Sequence, residues 1–422
     1  MPAADRPRSR EFDLSFAVVA WVVFVLALGK GLRPPSRWGA THFAFNYSQG
    51  FVRRGLVGEI ARRIGGDDVY HYNTFAIFSA VLVVISVVLL AWVLRRALRR
   101  HPADLGLRVA VLVFLASPGV VFAIHIMGYS DWLGIVGLVI FLATAIYSRS
   151  RFALYYLALA LGGVLTLAHE GLLPMFAPAM GFIMLCHIAR QARKNVLSIG
   201  AWVAQFAHAV LSCILMMVPS VWLSLSGTDQ VERVNAMRAF IQQHADYPLR
   251  QDAIDALTRS SHENMTVLLP WFWSQERFIK TAIYGEIAFL PGFIFLLVYG
   301  CHSIWHSGLP KWQRWGLCPA FVLASLVPQL MNIVGWDWQR WNSASILCAL
   351  ACVLAFRLFL PGAKTGRLPK WVLPIGLALT LIGVGSANPL FDGFTVELFP
   401  FERHVEVIKQ WMEGGYRLRP PP

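Results

Sequence analysis

Apolar runs of about twenty residues recur along this chain, and the breaks between them alternate in chemistry. One such run is what a helix needs to cross the ~30 Å hydrocarbon core of a bilayer. Eleven runs stand out, at 14–32, 74–94, 107–126, 131–147, 152–168, 171–189, 198–225, 281–304, 315–335, 342–360 and 371–387. Of 422 residues 57% are hydrophobic and 14% charged, more apolar surface than a soluble domain can hide. The expected fold is therefore all-α: a polytopic membrane protein of about eleven transmembrane helices.

Alternate breaks are basic: RRALRRHPADLGLR, YSRSR, RQARKN, KWQR and RLFLPGAKTGRLPK. Short loops rich in Lys and Arg stay cytoplasmic. The short opposite breaks 127–130 and 169–170 hold neither residue, so the expected orientation is N-inside and C-outside. Residues 1–387 form one membrane domain with large outer loops at 33–73 and 226–280, and 388–422 form an outer tail. The N-terminus is basic without a small-residue cleavage site, which reads as a retained first span.

The net charge of +14 would suggest nucleic acid in a soluble protein. Here the positive-inside bias and contact with anionic lipid account for part of it, and no nucleic-acid partner is expected. The six cysteines make no CxxC pair, so neither a disulfide framework nor zinc is expected. No Walker loop, GxSxG, HExxH or dinucleotide fingerprint is present, which argues against an ATP-driven pump or a membrane zinc protease.

Residues 51–64 place Val52, Leu56, Ile60 and Ile64 on one helical face, the spacing of an amphipathic helix in the outer interface. Gly55 and Gly58 would admit a close backbone or headgroup. In the second loop, 229–245 and 249–260 read as helices around Tyr247-Pro248, and Trp271, Phe272 and Trp273 as an interfacial belt.

The polar motifs all fall at the opposite breaks, of which the long ones, 33–73 and 226–280, carry many arginines, since long loops translocate largely regardless of charge. Arg53 and Arg54 could hold a phosphate bidentately or simply meet lipid headgroups, and Asn46, Tyr47 and Glu59 flank them. Asp131 in GYSDWLG is either a helix cap or a carboxylate at an outer cavity, with His125 beside the same opening. His169-Glu170 interrupts apolar sequence. A partly desolvated Glu170 would have a raised pKa and serve as general base, against the alternative of a capping role. In GWDWQRWN, Asp337 and Arg340 have pairing distance on a helical turn. Trp338 and Trp341 suit either a membrane belt or the face of a sugar ring. In the tail, Glu402, Arg403 and His404 read as a solvated segment.

Many spans, an amphipathic helix in the first outer loop, and acids and arginines gathered at the outer face resemble the GT-C superfamily of integral membrane glycosyltransferases and the related O-antigen polymerases and ligases. The chain departs from the GT-C pattern in lacking an acid between Arg33 and Gln49. The resemblance implies a polyprenyl phosphate or diphosphate sugar donor, and a hydroxyl acceptor on a glycan, lipid or protein. No nucleotide or cofactor is expected, and a divalent ion at Asp131 and Glu170 is left open without support from their spacing. Glu170, Asp131 and His169 would be catalytic, and Arg53, Arg54 and Arg340 would receive the phosphate at the periplasmic face of a bacterial inner membrane. The alternatives are an O-antigen-type polymerase or ligase, a lipid-linked oligosaccharide flippase or other transporter, and an acyltransferase using His169.

Overall fold

The computed structural model describes residues 6–66, 70–148, 150–195, 199–225, 231–333, 335–360, 369–390, 395–415 and 418. The basic connection expected at 357–370 falls mostly outside them.

Helix α1 (Arg6–Gly31) leads into two short helices, α2 (Arg37–Ala44) and α3 (Leu56–Gly65), and then into α4 (Tyr72–Arg100). Next come α5 (Leu105–Ala116), α6 (Pro118–His125), α7 (Asp131–Tyr147), α8 (Arg151–Ala168), α9 (Leu172–Asn195) and α10 (Ile199–Leu225). The second loop forms α11 (Val231–His244), α12 (Gln251–Thr258), α13 (Ser261–Glu263) and α14 (Leu269–Ser274). The long helices α15 (Glu276–Trp305), α16 (Lys311–Leu330), α17 (Trp338–Phe359) and α18 (Val372–Gly385) follow. The tail adds a small antiparallel hairpin, β1 (Asn388–Leu390) with β2 (Thr395–Glu397), and α19 (Phe401–Glu413). The tail segment expected to be merely solvated thus holds a hairpin and a helix.

Among the described residues, each apolar run marked in the sequence is mostly helical. Six helices are long and apolar enough to cross a membrane: α1, α4, α9, α15, α16 and α17. A seventh span is formed if α5 and α6 count as one, bent by 47°. Ser117 and Pro118 make that bend: proline has no N–H to continue the ladder, and the Ser117 hydroxyl accepts from Gly119 N at 3.0 Å to start the new helix. The apolar stretches of α7, α8, α10 and α18 are shorter.

Helices α9 and α17 form the centre of the bundle, packed on α7, α16 and each other. The α17 sequence SASILCALACVLA is small-residue rich, which lets neighbouring backbones come close where lipid offers no hydrophobic drive to association. By contrast α1 and α4 turn Val18, Val22, Val25, Val84 and Val88 outwards. All six cysteines are free.

The two ends of the bundle differ in chemistry. At one end Arg100 donates to Leu358 O at 2.7 Å, Arg357 pairs with Asp104, and Arg108 pairs with Asp13. At the other end Lys30 donates to Ser386 O at 2.8 Å, tying the end of α1 to the end of α18. The polar motifs gather at that second end.

The helix expected over 51–64 begins only at Leu56. Residues 51–55 are instead a tight loop in which Arg54 takes φ 62°, a left-handed conformation rare outside glycine. Ile60 and Ile64 face outwards as an interfacial helix requires, while Val52 is fully buried in the loop. A Cβ on Gly58 would lie 2.2 Å from Phe45 O, so glycine there lets α3 lie on the end of α2.

Candidate functional site at the loop-bearing end

The backbone turn at Arg54 sends two adjacent arginines in different directions. Arg53, only 3% exposed, donates to Leu257 O, to Ala256 O at 3.3 Å and to Arg259 O at 3.0 Å. Those carbonyls end α12, where a helix leaves its last acceptors unfilled and its dipole favours a cation. Arg53 therefore fastens the second outer loop to the first. It also approaches Glu170 at 3.8 Å. In this structure the Arg53 guanidinium is engaged by those carbonyls, which hold the two outer loops together.

Arg54 reaches the three-residue break between α8 and α9. Its Nε lies 3.1 and 3.0 Å from the two Glu170 oxygens, and a second guanidinium nitrogen lies 2.5 Å from Oε1. Burial raises the pKa of Glu170, but the charge and hydrogen bonds of Arg54 outweigh it and hold the carboxyl well below its ordinary range. The raised pKa expected of Glu170 is thus reversed. Glu170 stays an ionised partner of arginine, a poor proton acceptor.

Next to Glu170, His169 caps α8. Its Nδ1 accepts from Gly171 N–H at 3.1 Å, so the ring proton sits on Nε2. His169 presents a donor to the site rather than a base. Burial, then the charge of Arg54, keeps its pKa well below the usual imidazole value.

A second charge cluster stands on α17. Arg340, 3% exposed, donates to both oxygens of Asp131 at 3.2 and 2.8 Å and to Asp337 at 2.6 Å. Asp131 is the first residue of α7, where the helix dipole also favours an anion. Burial raises the pKa of Asp337, with Arg340 pulling the other way.

A continuous series of ring faces joins the clusters. Arg340 lies between Trp341 and Tyr129, 5.2 and 5.4 Å from the ring centres. Tyr129 stacks on Trp38 at 4.8 Å, Trp38 on His42 at 3.7 Å, and His42 faces His169 at 6.2 Å. The stretches at 53–54, 129–131, 169–170 and 337–341 thus meet at one end of the bundle.

His42, one turn after Trp38 on α2, went unnoticed in the sequence because a lone histidine in ATHFAF carries no motif. It is buried, and among the described residues its Nε2 has no hydrogen-bond partner. Burial lowers its pKa well below the imidazole norm, and the fields of Arg54 and Arg340 add to that. Beside His42, Arg54 and Tyr129 lies a cavity of about 30 Å³, room for one water.

Other expected ligands do different work. Asn46 is spent on Ala44 O at 3.1 Å, Tyr70 Oη at 3.0 Å and Ser48 N at 2.9 Å, bracing the loop. The Tyr47 N–H donates to Glu59 at 3.1 Å, and its ring packs on Phe51 and under Gly55. Glu59 accepts from Arg63 at 2.6 Å and Arg62 at 3.1 Å. Although burial opposes it, these bonds and the Tyr47 N–H bring its pKa to about 2. It closes α3 onto the loop. His125 ends α6, where its carbonyl accepts from Arg33 at 2.7 Å. Trp341 is 5% exposed, with the Arg340 guanidinium 5.2 Å from its ring centre. Trp338 keeps partial exposure and meets Trp273 edge-on at 5.1 Å. In the tail, Arg403 pairs with Glu397 at 2.7 Å and His404 Nε2 lies 3.0 Å from Leu32 O.

A second polar group also went unread. Glu286 on α15 accepts from Asn342 at 2.8 Å, and Asn342 accepts from Gln329 at 2.6 Å. Gln329 in turn accepts from Asn332 at 3.0 Å. In sequence these residues lie 56, 13 and 3 positions apart, so nothing local announces them. Among the described residues no group of three His, Cys, Asp or Glu side chains is placed to hold a metal.

Comparison with known proteins agrees with the membrane architecture. The chain is 26% identical over 421 residues to "Uncharacterized protein Rv1490" of Mycobacterium tuberculosis, covering 91% of this chain and 92% of the relative. "Uncharacterized protein Mb1527" of Mycobacterium bovis matches with the same identity and coverage. No solved structure matches. The family model described as "Uncharacterised membrane protein Rv1490" matches residues 12–234, more than half of the chain and the part that carries Trp38, His42, Arg54, Asp131, His169 and Glu170. This bundle of apolar helices, with its paired charges at one end, belongs to the Rv1490 family of membrane proteins.

Proposed function

We propose that the protein transfers a sugar from a polyprenyl phosphate or diphosphate carrier to a hydroxyl on a glycan, lipid or protein acceptor. The reaction takes place at the end of the bundle away from the basic connections. By the positive-inside bias this is the periplasmic face of a bacterial inner membrane. The observation that carries the reading is the unpartnered Nε2 of His42, buried within electrostatic reach of both Arg54 and Arg340.

The donor phosphate enters by exchange. Arg54 releases Glu170 and takes phosphate oxygens in the same bidentate geometry. The bound anion offsets the arginine charges that depress His42 and makes its Nε2 a better proton acceptor. The acceptor hydroxyl gives its proton to that nitrogen as its oxygen bonds the anomeric carbon. The carbon–phosphate oxygen bond breaks, and the charge that develops on the leaving phosphate is met by Arg54, by Arg340 and by the Nε2–H of His169. Glu170 and Asp131 act through the arginines they orient. This replaces the general-base role first assigned to Glu170.

The test is purified protein in vesicles with polyprenyl-phosphate-linked sugars and a glycan acceptor, reading release of polyprenyl phosphate. His42→Gln is expected to lower release by about 10²-fold or more, the usual contribution of a positioned base. Movement of donor across the vesicle with no bond broken would replace the transferase by a transporter. Absence of release with every lipid-linked donor would end the reading.

A further inference from the structure

We infer that an apolar cavity between α1 and α4 binds an anionic phospholipid, with an acyl chain inside and the phosphate on Arg95 and Arg99. The cavity measures about 690 Å³, within the range of ligand pockets. Phe16 and Ala20 of α1, Ala91 and Leu94 of α4, and Val111 and Leu115 of α5 form its walls. The lining of α1 runs from Asp13 to Phe24, about 17 Å at the helical rise, a little more than one leaflet of a ~30 Å core. Its charged lining residues, Asp13, Arg95, Arg99 and Arg108, all lie at the basic end of the bundle, which is taken as its mouth. Trp132 closes the far end and is shared with the small cavity at His42. The lipid is therefore one from the leaflet on the basic side, with its head remote from Arg54 and Arg340. The inference does not rest on glycosyl transfer.

Charge at the mouth selects the headgroup. Four arginines end α4, and the bundle itself engages two of them. Arg96 lies over the Tyr147 ring at 4.8 Å, and Arg100 donates to Leu358 O at 2.7 Å. Arg95 and Arg99, one turn apart, line the mouth, and both are exposed. Among the described residues neither has an ion pair. Among the described residues the other charged groups lining it, Asp13 and Arg108, form an ion pair. Two uncompensated cations above an apolar chamber match one phosphate above its chain.

Protein stripped of lipid in detergent is offered phosphatidylglycerol or phosphatidylcholine, and bound lipid is counted by native mass spectrometry. The parent is expected to retain one phosphatidylglycerol in preference to phosphatidylcholine. The double variant Arg95→Gln/Arg99→Gln, altered only at exposed positions, is expected to bind phosphatidylglycerol about 30-fold more weakly, with phosphatidylcholine unchanged. Ala91→Trp, which fills the chamber, is expected to lose both lipids. Equal retention of the two lipids by the parent, or unchanged phosphatidylglycerol binding in either variant, overturns the proposal.

Discussion

Arg54 and Glu170, 116 positions apart, meet through two Nε contacts of 3.1 and 3.0 Å, and side-chain exposure falls to 11% and 8%. Removing one partner strands the other charge in a dry environment. Glu170→Gln and Arg54→Met are each expected to lower stability by about 3–5 kcal/mol. The double variant Arg54→Met/Glu170→Met should lose clearly less than the sum, because no charge is then left alone. Denaturation of the purified protein in detergent, run as a double-mutant cycle, measures the coupling.

Arg53 gives a prediction of a different kind, since its hydrogen bonds go to Leu257 O, Ala256 O and Arg259 O. Lysine keeps the charge but lacks the planar fork that reaches all three. Arg53→Lys should lower stability by about 1–3 kcal/mol and speed amide exchange and proteolysis around 251–260, with α15–α17 unaffected. Uniform loosening of the whole chain would contradict this.

Gly58 and Gly163 form a matched pair. A Cβ at position 58 would sit 2.2 Å from one backbone oxygen and 2.4 Å from another, whereas at Gly163 in α8 nothing lies within 4 Å. Gly58→Ala must push α3 off α2 and is expected to cost about 2 kcal/mol or more. Gly163→Ala should be neutral or stabilising by up to about 1 kcal/mol, since alanine is the better helix former. Melting temperatures of the two variants decide it.

Acid should loosen the site. His42 and His169 have pKa values lowered by burial and by Arg54, so the folded state holds both neutral. The stability they contribute is fully present above the unfolded imidazole pKa, about 6.5, and falls as pH drops below it, where the unfolded chain binds protons that the folded one refuses. Melting temperature measured from pH 7.5 to 5 should decline, and His42→Gln/His169→Gln should flatten that decline. An unchanged slope in the double variant would assign the acid sensitivity to other groups.

Much of the local structure was legible in the sequence. Apolar run length gave the helices because each run must satisfy its backbone within itself. Tyr247-Pro248 separated α11 from α12 at the expected place, and Gly58 accepted a close backbone as its missing side chain allowed. The site was legible only as an inventory. Arginines, acids and a histidine were visible at one face, but residue type does not say what a guanidinium will grip. Arg53 spends itself on helix-end carbonyls and its neighbour on a carboxylate because the chain turns through φ 62° at Arg54. The hydrophobic phase of 51–64 had predicted continuous helix there.

The sequence by itself determined a helical membrane bundle with its chemistry at one end, since hydropathy, loop charge and helix-breaking residues act over a few neighbouring positions. Only the tertiary structure decided that His42 lies between the charge pairs, that Glu170 is held ionised, and that Glu286 finds Asn342. Those outcomes depend on burial and on fields from residues tens to hundreds of positions away. Both are set by how the helices pack.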